Sequence, residues 1–185
     1  MTSFPLDSML NSFRDPPRLH AMMVHFPIVL AVLGTLATLA LLVVRGKVGW
    51  LRWVTVGIFL AGAVTGFYTA STGEAADDHL SSANVELTDP ANAEFNEHGA
   101  MGEKVWMFMA GAGILVALTA VRGPALRSMF LVLALAAALA TAAWVAVTAH
   151  YGGELVYLHG MGVPQSPNNY PPPKTPPPPK PTAPL

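Results

Sequence analysis

The sequence predicts an all-α fold: an integral membrane four-helix bundle followed by a proline-rich extended C-terminal tail. Three observations predict it. Of 185 residues, 52% are hydrophobic and only 11% charged, whereas a soluble domain carries about a quarter charged residues. Four apolar runs come close to the roughly 20 residues that a membrane helix needs. The six histidines and eleven acidic residues all fall in segments that these four crossings place on one side.

The elements follow in chain order. Residues 1–23 form a polar, proline-containing head, read as periplasmic. It lacks a basic stretch followed by a small-residue cleavage site, so the first helix is expected to stay in the mature protein. Residues 24–163 form the transmembrane domain, with spans at about 24–44, 51–70, 105–121 and 129–150. The connection after the first span carries Arg45, Lys47 and Arg52, and the one after the third carries Arg122 and Arg127, with no acid in either. Basic loops stay in the cytoplasm, so the head, the 71–104 loop and the tail are expected in the periplasm. The expected location is a bacterial inner membrane, with both termini periplasmic. Gly62 and Gly66 on the second span and Gly111 and Gly113 on the third predict close helix packing. Room for a flat macrocycle is the second reading of these glycines. Gly152–Gly153 is expected to break the fourth helix and fold Leu155, Val156 and Tyr157 back as a lid. Residues 164–185, "PQSPNNYPPPKTPPPPKPTAPL", suit an extended polyproline arm, either a spacer or a docking arm for a partner.

Absent cysteine excludes disulfides, iron–sulfur clusters and covalently attached haem. A net charge of −1 gives no reason to expect nucleic acid. No nucleophile-elbow or zincin motif is present, and the span cores hold threonines but no charge, which disfavours hydrolysis and transport. The expected role is therefore non-catalytic.

What remains is the histidine rim. His20 and His25 lie in "LHAMMVHFPI", His98 in "NEHGAMGEKVW", His150 at the end of span four and His159 in "YGGELVYLHGMGV". Cofactor sites in bundles are built from side chains on facing helices. A b-type haem needs one or two axial ligands and an apolar slot. His25 and His98 are the expected axial pair, with His159, His20 and His150 as further ligands or supporting hydrogen-bond partners. His79, beside Asp77 and Asp78, is expected to be solvated. Glu74 and Glu154 are either orienting partners of a histidine or solvated helix ends. Copper is the less favoured cofactor, suggested by Met22, Met23, Met101 and Met161 near the imidazoles.

"LHAMMVHFPIVL" and "GGELVYLHGMGV" resemble the opening and closing motifs of a bacterial membrane family catalogued as domain of unknown function 2231. The resemblance covers about residues 18–164. Ala21 stands where that pattern has a proline, which ranks His20 behind His25. Members are similar to four-helix modules found with respiratory or cytochrome-like proteins, so the resemblance implies electron transfer. The expected function is a membrane subunit of a respiratory or photosynthetic-type electron-transfer system, holding haem b at its periplasmic rim. Expected partners are the lipid bilayer and other subunits or a periplasmic electron carrier. A cofactor-free anchoring subunit of a larger complex is the alternative.

Overall fold

The computed structural model describes residues 10–83 and 87–161. Six helices dominate it: α1 (Pro16–Met23), α2 (His25–Val43), α3 (Gly49–Ser82), α4 (Asp89–Gly102), α5 (Val105–Leu118) and α6 (Pro124–Tyr157). No strand occurs among the described residues. α1 and α2 join into one bent rod over Pro16–Val43, and α4 and α5 into another over Asp89–Leu118. With α3 and α6 they make four rods long and apolar enough to cross a membrane. The four-helix membrane bundle is thus the fold. The proline-rich tail lies outside the described residues.

Large apolar side chains on the rods' outer faces stay exposed, among them Leu36, Leu60, Val64, Ile114 and Val132. Water would penalise such a surface, and lipid does not. The interior is narrow. Phe59, Leu41, Met109, Leu131 and Val116 are its large, fully buried apolar side chains. Phe59 and Met109 fit because glycines face them. A Cβ on Gly34 would lie 2.8 Å from the Phe59 ring, and one on Gly62 would lie 2.9 Å from Met109 Sδ. Gly62 therefore serves packing and not a macrocycle. Buried threonines return their hydroxyls to the preceding turn, as Thr38 does to the Gly34 carbonyl at 2.7 Å and Thr141 to Ala137 at 2.8 Å. No polar atom of theirs is then left bare in an apolar interior.

The molecule is built twice. The buried positions of α2 are Pro27, Ala31, Gly34, Thr38 and Leu41. On the second bent rod and its C-cap, the buried positions Val105, Met109, Ala112, Val116 and Thr119 repeat the same steps of four and three, with Gly113 and Ala91 buried besides. Likewise Thr55, Phe59, Gly62, Gly66 and Thr69 on α3 match Ala134, Ala138, Thr141, Val145 and Thr148 on α6. Each half is one bent rod and one long straight helix.

Three expectations about boundaries change. α3 runs on to Ser82, and α4 occupies much of the expected loop. Charged residues end an apolar span, but "GEAADDHLSS" holds good helix formers and nothing that stops a helix. α6 passes through Gly152–Gly153 to Tyr157. Two glycines weaken a helix by about 1 kcal/mol each, and packing of α4 along this stretch keeps it wound. The turn comes later, where Gly160 adopts φ +66°. Leu155 is buried, while Val156 and Tyr157 are exposed along a cavity mouth and form no separate lid.

Candidate haem site at the histidine end

The bends in the two rods bring the site together. Pro27 has no N–H to give the carbonyl one turn earlier, so the rod bends at Val24. The freed Met23 carbonyl lies 3.3 Å from the Thr69 hydroxyl, which it shares with the Thr65 carbonyl at 2.7 Å. The second rod bends at Glu103–Lys104, where the Met101 carbonyl accepts Trp144 Nε1–H at 2.9 Å. α1 is thereby laid against the end of α3, and α4 against the end of α6.

Each of these short helices carries one inward histidine. His20 Nδ1 lies 3.1 Å from the Thr69 carbonyl oxygen and 3.2 Å from Thr72 Oγ1. His98 Nδ1 lies 2.9 Å from the Thr148 carbonyl oxygen. A carbonyl only accepts, so each Nδ1 carries the proton and donates it. In the neutral ring the lone pair then sits on Nε2. Neither Nε2 has a hydrogen-bond partner among the described residues. The two rings approach with centroids 6.1 Å apart and planes at 84°. Both are half-buried.

A cavity of about 460 Å³ reaches both rings, within the range of about 300–1,000 Å³ usual for cofactor pockets. Its walls are mostly small and apolar, with Pro27, Ile28, Gly66, Val105, Val145 and Ala149 among them. It lies on the seam between the first rod and α6. The opposite seam is shut, because a Cβ built on Gly66 would already touch the Trp106 backbone at 3.4 Å.

The other expected site residues are placed differently. His25 opens α2, is exposed and lines the cavity, with Nδ1 3.3 Å from the Met22 carbonyl oxygen. The ring that meets His98 belongs to His20, not to His25. His150 is exposed and pairs with Glu154 at 3.4 Å along α6. His159 pairs with Glu94 at 3.0 Å, tying the end of the described chain to α4. His79 is exposed, as expected, though on a helix. Among the described residues, no three His, Asp or Glu side chains gather to hold a metal ion.

Sequence reasoning missed Thr69, Thr148, Gly73 and Gly152. A Cβ on Gly73 would meet His20 Cε1 at 3.1 Å, and one on Gly152 would meet His98 Cε1 at 2.9 Å. The signal was present as a duplicated pattern. His20 and Thr69 are 49 residues apart, His98 and Thr148 are 50, and a glycine follows each threonine by one helical turn.

No curated protein and no solved structure matches the chain. The family model described as "Predicted membrane protein (DUF2231)" matches residues 16–165, from the start of α1 to beyond the end of α6. The chain therefore belongs to this family of predicted membrane proteins, and both bent rods, both long helices and the paired histidines fall inside the matched region.

Proposed function

We propose that this membrane protein holds one b-type haem between its two halves, with His20 and His98 as axial ligands, and works in electron transfer. The observation that carries the reading is the pair of imidazoles, each fixed through Nδ1 and with no Nε2 partner among the described residues. An imidazole nitrogen sits about 2 Å from a bound metal, so two rings that share one metal ion have centroids roughly 6 Å apart. The His20 and His98 ring centroids lie 6.1 Å apart.

The ligand count favours haem over a bare ion. Zinc and copper sites draw three or four ligands from the protein. A porphyrin brings four of its own and asks the chain for one or two. The thioether–imidazole copper site gains no comparable support. The cavity walls suit an apolar macrocycle, and the Thr69 and Thr148 carbonyls accept the Nδ1–H of His20 and His98, which fixes the tautomer and would raise the basicity of each Nε2 toward a metal. Bound haem would supply one-electron chemistry. The chain's own part is to orient the ligands and exclude water.

The opposite end carries Arg45, Lys47, Arg52, Arg122 and Arg127 on or beside its two connections, without an acid. We place that end in the cytoplasm and the haem near the periplasmic face of a bacterial inner membrane. There it would exchange electrons with other membrane subunits or a periplasmic carrier. The test is purification from haem-replete cells. Wild type and His25→Ala are expected to show a Soret band and a sharp reduced α-band, and His20→Ala and His98→Ala to lose the low-spin spectrum. A colourless wild-type protein would leave the anchoring-subunit reading in its place.

A further inference from the structure

We infer that Gly73 and Gly152 are positioning residues that hold the two axial imidazoles in perpendicular planes, an inference that rests on the haem reading above. Each ring is gripped at two points on one helix. Thr69 O takes the His20 Nδ1–H, and one turn later Gly73 leaves the notch in which Cε1 rests. Thr148 O and Gly152 do the same for His98. Residues four apart lie one above the other on a helix face, so carbonyl and notch together set the rotation of each ring. The interplanar angle that results is 84°.

That angle has an electronic consequence. Each imidazole π-system raises the energy of one of the two iron d orbitals that point between the porphyrin nitrogens and out of its plane. Parallel rings raise the same orbital and split the pair. Perpendicular rings raise one each and leave the pair nearly degenerate. A ferric ion in that state keeps large orbital angular momentum, and its low-temperature electron paramagnetic resonance spectrum collapses to one signal at unusually large g.

The pinned rings cannot simply yield to a methyl group. At 2.9 Å from a Cβ built on Gly152 the His98 ring must shift, and at 3.1 Å from one built on Gly73 the His20 ring must give by a few tenths of an ångström; each does so by turning about its carbonyl bond. The experiment is electron paramagnetic resonance of the oxidised protein as purified with its haem, for wild type, Gly73→Ala and Gly152→Ala. Gly111→Ala is the control, since a Cβ there meets nothing within 4 Å. The expected result is a single large-g signal in wild type and control. Each of the other two variants is expected to lose it to a three-line rhombic spectrum or to a high-spin signal.

A rhombic wild-type spectrum would overturn the perpendicular geometry while leaving two-histidine ligation intact. Unchanged large-g signals in both glycine variants would overturn the role of the glycines. A wild-type protein without haem would overturn the underlying reading itself. Should the variants fail to accumulate, the wild-type spectrum alone decides the geometry.

Discussion

The two halves solve one problem with different residues. In the first half, proline bends the rod, and the carbonyl that the bend frees shares, at 3.3 Å, a threonine hydroxyl that also bonds its own preceding turn. In the second half no proline stands at the bend, and an indole N–H takes the corresponding carbonyl. Both arrive at the same result, an imidazole donating Nδ1–H to a threonine carbonyl on the long helix. The common outcome shows that the placement of the histidines belongs to the repeated backbone and not to any one bend motif. Where the halves differ, they differ in access. Gly66 closes one seam against Trp106, while the other seam stays open beside His25 and Ala149.

The equivalence of the halves can be broken in a graded way. The largest effect is expected from either ligand: His20→Ala and His98→Ala should each abolish low-spin haem, with equal loss read from the optical spectrum of purified protein. Unequal loss would mean that one half binds and the other only covers. Next comes the packing between halves. Gly62→Leu pushes into Met109, and overpacking a filled interior costs about 1–3 kcal/mol or more. The thermal unfolding midpoint in detergent should fall, and Gly111→Leu should leave it near wild type.

Smaller still are the bend caps. Trp144→Phe strips the Met101 carbonyl of its indole donor while keeping an aromatic ring to stack on Phe108, whose centroid lies 4.6 Å away. The Lys104 backbone N–H still reaches that carbonyl at 3.2 Å, so the loss is that of one hydrogen bond, about 1 kcal/mol. Thr69→Val removes a hydroxyl that bonds Thr65 at 2.7 Å and reaches Met23 only at 3.3 Å; the Met23 bend should lose less from it, under about 1 kcal/mol. Denaturant or thermal titration that reversed this order would show that the proline bend leans harder on its cap than the proline-free bend. The smallest effect is expected from His159→Gln. The His159–Glu94 pair retains about a fifth of its exposure on each side, and its loss should cost no more than about 1 kcal/mol.

Much of this fold was legible because crossing a membrane is a local property. A run such as "VHFPIVLAVLGTLATLALLVV" declares itself within its own length. Helix ends beyond the bilayer were not legible in that way. Whether α6 survives Gly152–Gly153 depends on α4 packing beside it, a long-range fact. The rim of histidines was legible as a group, but their pairing was not. His25 carries the more recognisable local motif, with Pro27 two residues on. The bend that this same proline makes turns His20, one helix earlier, toward His98. Only the repeat, a histidine followed about fifty residues later by threonine and then glycine, links the two rings in sequence.

One measurement bears most directly on a cofactor shared between two equivalent half-sites: haem stoichiometry by pyridine haemochromogen against protein concentration. One haem b per chain is expected in wild type and in His25→Ala, with none held low-spin after either His20→Ala or His98→Ala. Two haems per chain, or a full complement after loss of His20, would contradict a single site at the junction of the halves.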